Sequence, residues 1–111
     1  LEVDAVAEAS LQLIRDYPCE IVVVSVGASG AYFANQDSVR FVPAPIVKKR
    51  STVGAGDSMV AGIVHSLAAN RSILEAVQLG VACGTAATMN PGSQLFDADT
   101  AHRLYDWLQR N

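Results

Sequence analysis

The chain has 111 residues, half of them hydrophobic, and a formal net charge of −3. The length suits one domain or part of a larger one, and the hydrophobic share argues against a disordered chain because it can build a packed core. The acidic balance argues against a nucleic-acid partner or an anionic membrane surface, since both bind clustered lysine and arginine.

The first part of the chain predicts a helix, a strand and a hairpin. Apolar residues recur at helical spacing over 3–17, and Pro18 ends this helix. The β-branched run 21–26 predicts a strand buried on both faces, as at the centre of a parallel sheet. Segments 31–34 and 39–42 predict an antiparallel hairpin at a sheet edge. The buried strand needs parallel neighbours from elsewhere, so we expect this chain to be part of a larger protein.

Beyond a proline-containing loop, the sequence predicts three helices. The first begins at Gly56 or Asp57, and we expect four of its residues to face inward: Val60, Ile63, Val64 and Leu67. Ser72 and Glu75 form a capping-box pattern that opens the second helix. This helix is apolar or small on nearly every side over 76–89, which predicts deep burial.

The second helix is stopped by the sequence Asn90-Pro91-Gly92, and Asp97 is expected to cap a final amphipathic helix. The resulting order is helix, strand, hairpin, loop and three helices. This order indicates an α/β layered protein.

The two cysteines, Cys19 and Cys83, have no CxxC spacing and no histidine grouped near them. This pattern disfavours a zinc site or a disulfide framework. The sequence also has no signal-peptide pattern and no run of about 18 apolar residues. We therefore expect a cytoplasmic protein without a membrane partner.

One segment joins the loop to the first of the three helices and reads Ser51-Thr52-Val53-Gly54-Ala55-Gly56-Asp57-Ser58. Its small residues let backbone N–H groups approach a ligand, and the helix start adds a partial positive charge, which together predict an anion site. Asp57 fits two hypotheses, a helix cap or a base for phosphoryl transfer. The P-loop and dinucleotide motifs are excluded, because no lysine follows Gly56 and Met59 occupies the third glycine position.

This segment, continued to Gly62, closely resembles the C-terminal signature of the ribokinase-like (PfkB) carbohydrate kinases. The resemblance implies a three-layer α/β/α fold with a mainly parallel sheet and an edge hairpin. Residues 1–111 would be its C-terminal ATP-binding part, without the N-terminal half and the lid. It also implies ATP-dependent phosphorylation of a sugar, with Asp57 as the general base and an anion hole formed by the N–H groups of Gly54, Ala55 and Gly56.

The resemblance further implies which residues bind ATP: Ser25, Gly27, Gly30, Val47, Val81 and Thr85. Considered without the family, the two glycines indicate only a tight turn, and the last three residues fit ordinary core packing. The basic cluster 48–50 is either a solvated loop or a group near the phosphates. The family uses Mg²⁺ with ATP, so we expect that ion as well.

Related kinases hold a monovalent cation such as K⁺, and six positions match its surroundings here: Ser51, Val53, Ala87, Asn90, Gly92 and Gln94. Gln94 departs from the pattern, because a basic residue is usual there.

Within the family, the stretches 50–53 and 84–92 look most similar to the branch that converts fructose 6-phosphate to fructose 1,6-bisphosphate. Kinases of fructose 1-phosphate or tagatose 6-phosphate stay open as alternatives, as does a nucleotide-binding module without catalysis. We expect a homodimer for the full-length protein, and no turnover by these 111 residues alone.

Overall fold

The computed structural model describes residues 3–89 and 98–110, in the predicted order of elements. The elements are α1 (Val3–Asp16), β1 (Val22–Ser25), β2 (Gly30–Ala34), β3 (Val39–Pro43), α2 (Ala55–Ala68), α3 (Ile73–Thr88) and α4 (Ala98–Arg110). A short 3₁₀ turn, Gly27–Ser29, joins β1 to β2. The predicted helix stop at 90–92 and the cap at Asp97 lie outside the described residues. None of the described helices is long and apolar enough to cross a membrane.

The sheet has the order β1-β2-β3, and both of its strand pairs are antiparallel. The predicted hairpin is confirmed, with Tyr32 opposite Phe41. The prediction that β1 is buried on both faces is wrong for this chain, because Val22, Val23 and Val24 are only half-buried. β1 pairs with β2 alone, and the described residues supply no parallel neighbour that would cover its other edge.

The main core lies between the hairpin and helices α3 and α4. Ala31, Phe33 and Val42 of the hairpin pack against α3 and against Leu108 of α4. The predicted burial of α3 is confirmed: nearly every residue from Ala76 to Thr88 is buried. This follows from composition, since a helix that is apolar or small all round is stable only when other elements surround it.

The capping box predicted at the start of α3 is also confirmed. The Glu75 backbone N–H donates to the Ser72 hydroxyl oxygen at 3.1 Å, and the Ser72 backbone N–H donates to the Glu75 carboxylate at 3.1 Å. The Ser72 backbone N–H, followed by its hydroxyl, holds the pKa of Glu75 below its usual value. Each bond satisfies a backbone or side-chain group that would otherwise be open at a helix start.

The prediction for the inward face of α2 is wrong. Val60, Val64 and Leu67 are 55%, 58% and 44% exposed, and only Ile63 of the predicted four is half-buried. The buried residues are the small ones at every fourth position: Ser58, Gly62 and Ser66.

The physical reason is the close approach of α2 to α3. A Cβ added at Gly62 would lie 3.0 Å from the Cys83 Sγ and 3.0 Å from the Gly80 Cα. A Cβ added at Gly80 would lie 2.6 Å from the Ile63 Cγ1 and 2.9 Å from the Met59 carbonyl oxygen. There is no room for a valine or leucine at this crossing, so α2 presents its small residues to α3.

We predict that Gly80→Ala lowers the free energy of unfolding by about 1–3 kcal/mol, the usual cost of overpacking a filled interior. The added methyl group would meet both the Ile63 side chain and the Met59 carbonyl oxygen, and the helix backbone that contains this oxygen cannot move aside as the end of a flexible side chain would. The measurement is urea unfolding of the intact protein.

Gly56→Ala is the matched control, because a Cβ at Gly56 has nothing within 4 Å. We expect this control to be as stable as the wild type, or more stable by up to about 1 kcal/mol through helix propensity. Equal stability of the two alanine variants would contradict the tight crossing.

Candidate active site

A cavity of about 290 Å³ lies where four parts of the chain meet: the β1–β2 turn, the loop after β3, the start of α2, and α3. Seven residues predicted to bind ATP or its phosphates line it: Ser25, Gly27, Gly30, Ala55, Gly56, Val81 and Thr85. They come from distant parts of the sequence. Their convergence on one cavity is what a shared binding site requires.

Val47 is the exception among the residues expected to bind ATP. It lies in a neighbouring groove with Met89 and α4, and the two cavities share Ala44 and Pro45. The wall beside α3 is instead formed by Val81, Thr85 and residues that were not predicted. Val47 is half-buried, which fits the alternative that it is an ordinary packing residue.

The β1–β2 turn brings its backbone close to β3. Gly27 and Gly30 have φ values of +59° and +128°, which side chains rarely adopt. A Cβ at Gly30 would overlap the Val42 carbonyl oxygen. The turn is closed by the Val26 N–H, which donates to the Gly30 carbonyl at 2.9 Å, and the Ala44 N–H, which donates to that of Ser29 at 2.9 Å. The tight turn therefore accounts for both glycines through their backbone conformation, and Gly27 in addition has open space where a Cβ would stand.

The signature segment forms the start of α2, one residue earlier than predicted. Gly54 is the N-cap residue, with a left-handed φ of 82° and no side-chain cap. The Ala55 N–H donates to the Thr52 carbonyl at 3.3 Å, whereas the N–H groups of Gly54 and Gly56 have no acceptor among the described residues. Two of the three predicted anion-binding donors are thus open to a ligand.

Asp57 does not cap α2. It is the third residue of the helix, and no side chain bonds at the N-cap. Its carboxylate is exposed and makes no hydrogen bond or ion pair within residues 3–89 and 98–110. The hypothesis that Asp57 caps α2 is therefore wrong. Its carboxylate is free, in the same helix turn as the open N–H groups of Gly54 and Gly56.

The loop before the signature is held to the end of α3. The backbone N–H groups of Arg50 and Ser51 both donate to the Thr88 carbonyl oxygen, at 2.6 and 3.1 Å. The Thr88 hydroxyl donates to the Thr85 carbonyl at 2.6 Å. Thr88 also lines the cavity, so these bonds tie one wall of the cavity to the loop.

Of the six positions predicted around a monovalent cation, three lie outside the described residues: Asn90, Gly92 and Gln94. The other three fall near this junction: Ser51 and Val53 in the loop, and buried Ala87 next to Thr88. Within the described part of the chain, no group of three or more His, Cys, Asp or Glu side chains is gathered that would hold a metal ion.

Lys49 also lines the cavity, which favours a place near the phosphates for this residue of the basic cluster 48–50, whereas sequence reasoning missed the lining residues Thr52, Gly84 and Thr88. Gly84 lies where α3 passes the start of α2, and a Cβ there would be 3.1 Å from the Ala55 carbonyl oxygen. The available signal was a helix glycine without a turn nearby, which often marks a close backbone approach.

The chain matches the family model of the pfkB family carbohydrate kinases over residues 1–101. It is 41% identical over 107 residues to the ATP-dependent 6-phosphofructokinase isozyme 2 of Escherichia coli strain K12, covering 96% of this chain and 35% of that relative. It is 36% identical over 86 residues to the 1-phosphofructokinase of the same organism, covering 78% and 27%.

Comparison with solved structures also finds carbohydrate kinases. The crystal structure of E. coli phosphofructokinase-2 in complex with potassium superimposes with a TM-score of 0.93 at 40% identity, covering 99% of this chain and 36% of that one. Vibrio cholerae fructokinase, bound to fructose, ADP and a calcium ion, gives 0.76 at 33% identity, covering 88% and 34%. This chain therefore spans about a third of the length of these relatives. The ribokinase-like α/β fold is confirmed, and the chain belongs to the pfkB family of carbohydrate kinases.

Proposed function

We propose that this chain is the C-terminal, ATP-binding part of a kinase that phosphorylates a sugar phosphate, with fructose 6-phosphate as the substrate. One observation carries the proposal. The free carboxylate of Asp57 and the open N–H groups of Gly54 and Gly56 lie in one helix turn, and Ala55 and Gly56 of this turn line the cavity, whereas Gly54 and Asp57 do not.

ATP would enter the cavity with its phosphates toward the start of α2. The glycines at 27 and 56 leave open space where a Cβ would stand, so phosphate oxygens can approach the backbone. The open N–H groups and the positive end of the α2 dipole would stabilise the negative charge. Mg²⁺ fits a site with few protein carboxylates, because it is commonly held by substrate phosphates and water, and it would supply further charge neutralisation when bound.

Asp57 would act as the general base. The sugar hydroxyl would pass its proton to the Asp57 carboxylate as its oxygen attacks the γ-phosphorus of ATP and the bond to ADP breaks. A base must be free to accept that proton, and this carboxylate has no partner in the described chain. The open N–H groups beside it would stabilise the charge on the moving phosphoryl group.

A monovalent cation would fit beside the loop at 51–53. The carbonyl end of α3 carries partial negative charge, and it lies against this loop through the Thr88 hydrogen bonds. The backbone carbonyls near Ser51, Val53 and Ala87 would hold K⁺ there, together with residues outside the described part of the chain. E. coli phosphofructokinase-2 has been crystallised in complex with potassium.

The remainder of the kinase would supply the residues that recognise the sugar. Two surfaces support this division: the unpaired edge of β1, and the exposed apolar stripe of Val60, Val64 and Leu67 on α2. Both would be covered by the rest of the domain. The homodimer and the cytoplasmic location stay predictions; E. coli phosphofructokinase-2 has been described in a tetrameric inhibited form.

A 1-phosphofructokinase activity is the second candidate, because a 1-phosphofructokinase is 36% identical over 86 residues. Tagatose 6-phosphate stays open as a third substrate. A nucleotide-binding module without catalysis is less well supported, since a free carboxylate beside an anion site has no use in binding alone.

We predict that Asp57→Asn in the intact protein lowers turnover by about 10²–10⁴-fold, the usual contribution of a general base. The affinity for ATP should change little, because the amide keeps the size of the side chain and the backbone donors. Steady-state kinetics and calorimetric ATP binding provide the two measurements. Asp99→Asn is the control, since Asp99 is also an exposed carboxylate in the first turn of a helix. A near-normal rate for Asp57→Asn would contradict the role of base.

We predict that the intact protein has a higher kcat/KM for fructose 6-phosphate than for fructose 1-phosphate or tagatose 6-phosphate. A coupled assay for ADP release checks this, with K⁺ present and with K⁺ replaced by a larger organic cation. Loss of rate without K⁺ is expected if the cation fixes the loop at 51–53. Preference for fructose 1-phosphate would select the second candidate.

A further inference from the structure

Lys49 is the one charged side chain among the described residues that line the nucleotide cavity. The other lining residues are glycines, apolar residues, or residues with neutral hydroxyls. Asp57 is not among them. Among the described residues that line the cavity, the single formal charge is therefore positive.

The backbone fixes where this charge is presented. Arg50 and Ser51, the next two residues, are bonded to the Thr88 carbonyl at 2.6 and 3.1 Å. The Lys49 backbone is thus held within one or two residues of a buried helix end, and Lys49 is among the residues that line the cavity. Its neighbours Lys48 and Arg50 are also exposed, but neither lines the cavity.

The charge matters because these 111 residues are acidic overall. The chain has a net charge of −3, which disfavours the approach of an anion. A nucleoside triphosphate carries several negative charges, and the α2 helix end offers only partial positive charge. A flexible ammonium group in the cavity supplies the full counter-charge that the glycine turns lack.

We propose that Lys49 binds the phosphate chain of the nucleotide and sets the affinity of this protein for ATP and ADP. This inference rests on the proposed ATP-binding function and adds a residue that the signature does not contain. Lys49 would act through its charge on the phosphates, and binding of the adenine and the ribose would not depend on it.

The test is calorimetric binding of ATP, ADP and adenosine to the intact protein and to Lys49→Met. We expect the variant to bind ATP and ADP about tenfold more weakly, the scale of a hydrogen bond to a charged group at an open site. Adenosine, which has no phosphate, should bind both proteins equally. The salt dependence of ATP binding should be weaker in the variant, because one screened charge pair has been removed.

Two matched variants complete the experiment. Lys48→Met removes a neighbouring charge that does not line the cavity, and we expect its ATP affinity to be unchanged. Lys49→Arg keeps the charge and should retain most of the affinity. Thermal unfolding of each variant checks that its fold is intact.

The outcomes separate this inference from the proposed function. Wild-type protein that binds no ATP would overturn both. Normal ATP affinity in Lys49→Met, or an equal loss for ATP and adenosine, would overturn the role of Lys49 alone and leave the kinase proposal standing. An equal loss of ATP affinity in Lys48→Met and Lys49→Met would show that any nearby positive charge has the same effect. This result would also overturn the specific role of Lys49.

Discussion

The structure depends on how closely α2 approaches α3. Gly62 and Gly80 remove the side chains that would hold the two helices apart, and the nearest atoms across the crossing include helix backbone. Further along the same face of α3, Gly84 lies close to the Ala55 carbonyl oxygen at the start of α2. Because Gly84 also lines the cavity, the crossing sets the distance between the wall formed by α3 and the turn that contains Gly56. A wider crossing would separate the proposed anion donors from the nucleotide cavity.

Much of the fold was predictable from the sequence, because local signals and tertiary structure agree. The capping box at Ser72 and the all-round apolar pattern of α3 both gave the correct result. The inward face of α2 was not predictable from hydrophobic periodicity, because the larger apolar residues of this helix form a stripe on its exposed face. At a close crossing, small size decides which face is buried, and the periodicity of bulky residues then indicates a different surface. The burial of β1 was misjudged because its composition fits a strand with more neighbours than the described residues supply.

The candidate site was predictable where a motif specifies backbone geometry. The Gly54–Asp57 turn is at a helix start with open donors, as its glycines indicated. Single side chains were harder to place. Val47 lies in the neighbouring groove, since a position in an irregular loop can face either side of the chain. The sequence does not distinguish a capping Asp57 from a free one, because the same spacing permits both.

Within residues 3–89, the hydrogen bonds between the loop and α3 join main-chain atoms: two N–H groups and one carbonyl oxygen. Any residue except proline can supply such an N–H, so the side chains at 49, 50 and 51 are free to vary without breaking the junction. The cavity thus has a wall whose geometry is fixed by backbone hydrogen bonds and whose side-chain chemistry is open to substitution. A substitution at 49 would therefore change the side chain at the cavity without rearranging the Gly54–Asp57 turn.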